Sequence, residues 1–516
     1  MADPLSYDVI LIGSGPQGLI TACYLAKNGI KVGVFEPENP HGNAMPYVPF
    51  QDDCFTGPVS HLPLSIPKDL IEDLKLTEFG LDPAQMTGSV VTPTPEAKSA
   101  FILTNDKERT LQTIKEVSEK DAQSYDQLTD GLVKLAKALA QTTSSMAPNY
   151  TEDGWKDMWG IFQTGKFLAT ARQEIQLLFA EIVKSSLHDF LAQKFETPEL
   201  RNCIAQTVSL CQPIDGQMAG SAILLLEHFL RLGQDPDTHS KNNLILRGSL
   251  HSYISALKDA AQSYGVTFHD DKFVKSLSFR LDGRIEGAEL NARQKVNARR
   301  VLSDISPALL FKTLIPSEYQ SPIIQTRFES KTIHNFIHVK FALKGLPGFS
   351  FFKTTSYQGV FQLSSDKKLS IILPSLASAE LQSSLHPCSV MMPFNDHKSL
   401  ESDAGKAALI QSIIDEIQPF APNFADLVAG SSIISGEALD YGFGATGQKS
   451  AQAIEGDENF AMLRLIQMCF PHHSLQAKHG INGLYICGYG MEGTTPPHLN
   501  NAYLQTTKDI TDILKS

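Results

Sequence analysis

The sequence predicts an α/β fold in which one mainly parallel sheet is gathered from separated stretches of chain, with a helical block interposed. Three observations carry this. A strand, a glycine loop, a helix and a second strand follow one another within the first 36 residues; the same alternation returns from Asn243; and a further buried-strand run, Leu484 to Cys487, ends at Gly488. The 516 residues suffice for about two to four domains.

Composition narrows the class before any motif is weighed. The chain is 42% hydrophobic and 19% charged, an ordinary globular balance. With 44 basic against 56 acidic residues the net charge is −12, and no Lys/Arg run is long enough to follow a phosphate backbone, which argues against nucleic acid as a partner. The seven cysteines, Cys23, Cys54, Cys203, Cys211, Cys388, Cys469 and Cys487, include no C-x-x-C pair. They read as reduced thiols, not as a disulfide framework or a zinc site. Asp3 and Asp8 stand where a signal peptide would carry positive charge, and the apolar run Ala222 to Leu226 is stopped by Glu227 and His228. The expectation is a cytoplasmic protein with no spanning helix, for which peripheral contact with a membrane stays open.

Tyr7 to Ile12 is a short apolar run rich in β-branched residues, suited to a strand buried on both faces. Gly13-Ser14-Gly15-Pro16-Gln17-Gly18 follows, then Leu19 to Asn28 at helical spacing, a stop at Gly29 and a second strand from Lys31 to Glu36. This is a Rossmann-type β-α-β unit with G-x-G-x-x-G in its loop. Gly13 suits the tight turn, Gly15 a close approach of backbone to a diphosphate, and Gly18 the packing of helix on strand. Backbone N–H groups at the helix start then face the phosphates. Glu36, 18 residues past Gly18, can accept hydrogen bonds from ribose hydroxyls and would repel a 2′-phosphate, so FAD or NAD fits and NADP does not.

Residues 40 to 67, rich in Pro, Gly and His, read as a loop, and Asp121 to Ala140 as a helix. Residues 161 to 232 are strongly helical, with Phe167 to Phe195 amphipathic. Leu244 to Leu246 then reads as a strand, Leu250 to Tyr264 as a helix and Val266 to His269 as a strand. Phe273 to Leu281 and Arg284 to Leu290 flank Asp282-Gly283, the signal of a hairpin with a type I′ turn. Ala298 to Leu302 is a strand running into Ser303-Asp304-Ile305-Ser306-Pro307.

In the order and spacing of these segments the chain resembles the phytoene desaturase-related FAD oxidoreductases, more narrowly the branch named for pyridine nucleotide-disulfide oxidoreductase domain-containing protein 2. The resemblance rests on the fingerprint through Glu36, Leu70 to Leu76 with Phe79-Gly80-Leu81, Asp121 to Tyr125, Gly220-Ser221-Ala222, and Arg247-Gly248. It continues in Ala298 to Pro307, Ala342 to Pro347 and Gly483 to Gly490. It implies an FAD-binding domain assembled from residues 1–75, 235–315 and 460–516, and an α+β substrate domain with a helical block from 76–234 and 316–459, as in amine oxidases and phytoene desaturases. It further implies backbone contact of Val274 with adenine, and delivery of Gly42, Gly488 and Gly490 to the flavin nucleotide.

The chain departs from that family at three places. Pro37 to Asn43 keeps one glycine, Gly42, and lacks the usual basic residue. Gly248-Ser249-Leu250-His251 replaces a Gly-Gly-x-Gly stretch, and Glu492 to His498 replaces a glycine-rich one. The leading expectation is an FAD-dependent oxidoreductase that passes hydride from an apolar or amphipathic small molecule to flavin N5, with Glu492 as candidate acid/base. A solvated loop carboxylate is the competing reading of Glu492. Two other classes stay open: a non-catalytic binding module that has lost flavin, and an NAD-using dehydrogenase. His334 with His338, and His472-His473, lack a third ligand in view, so no metal is expected. Tyr441, Trp155 and Trp159 read as core aromatics or as the lining of a substrate cavity, and no G-x-S-x-G elbow or Walker loop is present.

Overall fold

A computed structural model of the chain describes residues 5–37, 48–51, 54–56, 65–85, 89–94, 100–104, 106–143, 173–208, 216–231, 243–246, 250–305, 309–320, 336–351, 359–363, 369–373, 385–394, 396–434, 461, 480–487 and 511. Strands β1 (Leu5–Ile12), β2 (Val32–Pro37), β10 (Thr267–Phe279), β12 (Lys295–Ser303) and β18 (Leu484–Ile486) pair in parallel in the order β10-β2-β1-β12-β18. Numbered by their succession in the chain, these five run 3-2-1-4-5, the order of a doubly wound nucleotide-binding sheet. Strand β11 (Ile285–Leu290) joins the second half of β10 to the start of β12 by antiparallel pairing.

The apolar run that begins at Val9 is explained by burial on both faces. Val9 and Leu11 pack with Leu19 and Leu25 of helix α1 (Pro16–Lys27) and with Tyr253 and Leu257 of α9 (Leu250–Ser263). Ile10 and Ile12 pack on the other side with Phe35, Val301 and Phe311. Each such side chain contributes about 1.5–3 kcal/mol of burial, which fixes the register of β1 and hence the height at which Gly13 leaves the sheet.

Four expectations change in detail, the first being that residues 40 to 67, read as a loop, hold strands at Val48–Gln51, Cys54–Thr56 and Ser65–Pro67. The strands read at Val266 to His269 and Phe273 to Leu281 are one bent strand, β10, whose register with β2 shifts between His269 and Phe273. The hairpin at Asp282-Gly283 forms, but its turn is not type I′. That turn needs positive φ at both central residues, whereas Gly283 (φ +80°) is left-handed and Asp282 is not. Gly283 N–H donates to Arg280 O and Arg280 N–H to Arg284 O, a three-residue loop instead. The amphipathic stretch ending at Phe195 is broken into α5 (Gln173–Lys184) and α6 (Leu187–Lys194), because the Ser186 hydroxyl accepts Asp189 N–H and caps a new helix.

Strand β9 (Asn243–Leu246) stands outside the parallel sheet and pairs antiparallel with β5 (Ser65–Pro67) and β6 (Pro83–Gln85), near α2 (Lys68–Asp73). A second large sheet runs β17 (Val428–Ile434), β13 (Phe336–Leu343), β16 (His386–Pro393), β15 (Leu369–Ile372), β14 (Gly359–Leu363), β7 (Ser89–Pro93) and β8 (Ala100–Thr104). It is antiparallel except where β14 meets β7. Ile337, Val339, Phe341 and Leu343 of β13 alternate into a core shared with α10 (Asp403–Ile417) and α11 (Phe424–Leu427). A hairpin, β3 (Val48–Gln51) with β4 (Cys54–Thr56), lies beside β17 and β16.

Helices α3 (Lys107–Lys115), α4 (Glu119–Thr143), α5, α6, α7 (Pro198–Val208) and α8 (Ile223–Arg231) share a separate core. Buried Asp121 ties this block together by accepting Glu196 N–H and Thr197 N–H at 2.8 and 2.9 Å. Among the described residues no helix is long and apolar enough to cross a membrane, and no group of three or more metal-ligating side chains occurs.

Candidate nucleotide site

At the carboxyl ends of β1, β2 and β12 the chain gathers a glycine loop and two carboxylates. Gly13 turns out of β1 with φ +88°, a conformation L side chains rarely adopt, and its N–H donates to Phe35 O at 2.9 Å. Helix α1 begins after Gly15, with Pro16 in its first turn, where the N–H that proline lacks has no helical partner to lose. Gly15, at the cap position, supplies no side-chain acceptor, so the helix start draws no cap from its own strand of sequence.

The acceptor comes from β12. Asp304 follows that strand, held by its N–H to Ile12 O at 2.8 Å, and its Oδ2 accepts Gly18 N–H at 2.7 Å. The glycines are shaped to this side chain. A Cβ on Gly15 would lie 2.5 Å from Asp304 Oδ2, and one on Gly18 would lie 2.7 Å from both Asp304 Cβ and Leu11 Cδ1. Gly18 thus permits the close packing of helix and strand read from the sequence, while the missing side chain of Gly15 makes room for a carboxylate. Burial raises the Asp304 carboxyl to about 7; the Gly18 N–H opposes the shift and the Glu36 charge adds to it.

Glu36 stands at the end of β2, where Ser14 Oγ donates to its Oε1 at 2.5 Å and ties the loop to the neighbouring strand. Burial pushes its carboxyl up, while Ser14 and Lys258 favour the charged form and Asp270 disfavours it. Val274 is buried on β10 in register with Pro37, one residue beyond Glu36. Gly13, Ser14, Gly15, Pro16, Gln17, Gly18, Glu36 and Val274 therefore come together at one edge of the sheet. Cys487, just before Gly488, donates its N–H to Ser303 O, so β18 ends beside the same edge. Gly42, Gly488, Gly490 and Glu492 lie outside the described residues, as do His334, His472, His473, Tyr441, Trp155 and Trp159.

This edge suits a ligand with vicinal hydroxyls and a diphosphate. Glu36 is a half-buried acceptor beside the loop, the buried Ser303 hydroxyl has no hydrogen-bond partner among the described residues, and of the α1 start Asp304 takes the Gly18 N–H.

Two ionisable groups escaped the sequence reading. Asp304 is one. The other is Lys340 of β13, buried, with its Nζ donating to Ser389 Oγ of β16 at 2.6 Å and His338 two residues away on the same face. Burial lowers the Lys340 ammonium to about 7, with a nearby Cys388 thiol opposing. Both partnerships join distant segments, so periodicity carries no sign of them.

No family model matches the chain. It is 23% identical over 542 residues to pyridine nucleotide-disulfide oxidoreductase domain-containing protein 2 of Rattus norvegicus, covering 94% of this chain and 90% of that one. It is 24% identical over 335 residues to one of the limonene dehydrogenase subunits of Castellaniella defragrans, covering 62% and 55%. Among solved structures it is similar to a triple variant of putrescine oxidase redesigned in its cofactor binding, with a TM-score of 0.60 and 13% identity over 99% of each chain. The fold is that of the amine oxidases, and the sequence resemblance to an oxidoreductase domain-containing protein spans nearly the whole chain.

Proposed function

We propose that the chain is an FAD-dependent oxidoreductase acting on an apolar or amphipathic small molecule. The observation that carries this reading is the Ser14 to Glu36 hydrogen bond, because it brings the glycine loop and the acid one strand over to a single point. Helix α1 would receive the diphosphate on its first N–H groups, Glu36 the ribose hydroxyls and the Val274 backbone the adenine. Gly42, Gly488 and Gly490 would line the remainder of the nucleotide, with Glu492 as candidate acid/base. Bound flavin supplies a hydride acceptor at N5, and the protein supplies orientation and exclusion of water.

The C-terminal strand β18 added to the sheet beside β12, and the fold likeness to putrescine oxidase over 99% of each chain, support FAD over a nicotinamide on a simple β-α-β domain. The limonene dehydrogenase name supports an apolar substrate, and the four cysteines that are buried and free among the described residues accord with a reducing, cytoplasmic setting. The purified protein is expected to show the two visible absorption bands of flavin, or to acquire them on addition of FAD. A colourless protein that takes up no FAD overturns the reading in favour of a binding module, and binding of NAD alone overturns it in favour of a dehydrogenase.

A further inference from the structure

We propose that Asp304 is a positioning residue of the nucleotide loop whose proton is linked to nucleotide binding: its carboxylate caps α1 in the free protein and takes a proton from solvent when the diphosphate arrives. This rests on the nucleotide-binding reading of the loop. It goes further by giving the site a second acid, opposed in charge to the ligand.

Geometry is the first support. Oδ2 occupies the N–H of Gly18, the second N–H of α1, and would lie 2.5 Å from a Cβ on Gly15, within the same helical turn that would bind the diphosphate. Two anions there compete for one set of N–H donors and for one helix dipole. The carboxyl fills the space that Gly15 and Gly18 leave by lacking a Cβ, so it sits inside the loop that would receive the diphosphate. A protonated carboxyl relieves the repulsion and keeps the Gly18 bond, since its carbonyl oxygen still accepts.

The surroundings favour that exchange. Facing Asp304 are the Gly18 N–H of α1, the Glu36 carboxylate of β2 and the Cys487 thiol after β18. Around Glu36 stand Ser14, Lys258 of α9 and Asp270 of β10. Among the described residues no cation acts directly on Asp304, whose carboxyl is raised to about 7, so the proton is within reach of neutral solution. The exchange balances: one proton passes from solvent to Asp304 on binding and returns on release, with no electron transferred.

The test is a calorimetric titration of the full chain, stripped of nucleotide, with FAD and with ADP at pH 6 and pH 8 in buffers of different ionisation enthalpy. The diphosphate of FAD does not titrate in that range. Wild type is expected to bind FAD about tenfold more weakly at pH 8 than at pH 6, with uptake of nearly one proton at pH 8. Asp304→Asn keeps an acceptor for Gly18 and is expected to bind equally at both pH values without that uptake. Asp304→Leu, lacking the acceptor, separates loss of the cap from loss of the charge by weakening binding at both. If wild type and Asp304→Asn bind with the same pH dependence and proton count, Asp304 is a structural cap only and the proposal is overturned while the nucleotide reading stands. If neither binds FAD or ADP at any pH, the nucleotide reading itself fails and the proposal with it.

Discussion

The two large sheets each bury an ionisable group against the usual rule, and they do so in different places. Asp304 stands past the end of a parallel strand, where β1, β2 and β12 open toward the start of α1. Lys340 stands in the middle of an antiparallel one, with Ser389 on β16 and Ser432 on β17 as its cross-strand neighbours. Burial weakens the charged form of both, raising the acid and lowering the base to about 7. What separates them is access. Parallel sheets of this order receive ligands at the carboxyl ends of their strands, so a carboxyl there would meet the charge of a bound nucleotide. A mid-strand lysine covered on its own face acts first on folding.

The strongest way to break that contrast is at Gly15. Gly15→Val sets a branched side chain where Asp304 Oδ2 would be 2.5 Å from the first carbon, so loop and carboxyl must part by roughly an ångström. Displacing an N–H that would hold the diphosphate removes a charge-assisted hydrogen bond of about 1.5–3 kcal/mol, or roughly 10- to 100-fold in affinity. FAD retention measured by equilibrium dialysis is expected to fall by that much while circular dichroism stays that of the wild type. Retention at the original level would detach Asp304 from the nucleotide loop.

Lys340→Met sharpens the other side of the comparison. Below pH 7 the lysine is charged in both the folded and unfolded states, and the folded state bears the whole penalty of burying an ammonium. From about pH 7 upward the unfolded chain holds a proton that the native state has released, so wild-type stability rises with pH until the ordinary lysine range near 10.5. Lys340→Met lacks this slope. It is expected to be more stable than wild type by about 1–4 kcal/mol at pH 6, with the gap closing toward pH 10 in urea melts. A pH-independent gap would show that the amine is paired when charged. FAD affinity is expected to stay unchanged.

The same contrast explains what could be read in advance. The β-α-β unit was legible because its glycines, helix and acid lie within 24 residues, from Gly13 to Glu36, at offsets set by local geometry. The hairpin at Asp282-Gly283 was legible too, though only Gly283 takes the left-handed conformation and the turn type followed the longer loop. Asp304 meets Gly18 across 286 positions and Lys340 meets Ser389 across 49. Such contacts depend on strand order and register, which periodicity does not encode. The segment Ala298 to Pro307 marked a strand running into a loop, without indicating that its acid would supply the cap that Gly15 lacks.

The smallest expected effect is the most specific to the proposed ribose end of the site. Ser14 Oγ donates to Glu36 Oε1 and so favours the ionised carboxylate, the form that accepts from ribose hydroxyls. Removing the hydroxyl in Ser14→Ala takes away one hydrogen bond of about 0.5–1.5 kcal/mol, or roughly two- to twelvefold in FAD affinity. The sign with pH follows from the direction of the shift. Burial already raises the Glu36 carboxyl, and without Ser14 it rises further, so the acid limb of the binding curve moves to higher pH. Fluorescence titration with FAD from pH 5 to pH 8 is expected to show the variant weakest, relative to wild type, at the acid end. Relative to wild type, Ser14→Ala and Asp304→Asn both gain with rising pH, the first because it loses affinity at the acid end and the second because it escapes the wild-type loss at the alkaline end; in the proposed site one acid would be ionised to hold the ribose and the other neutral to admit the phosphates. Equal affinity of variant and wild type across the range would mean that Glu36 is fixed by its strand alone, and that the loop adds only the helix start.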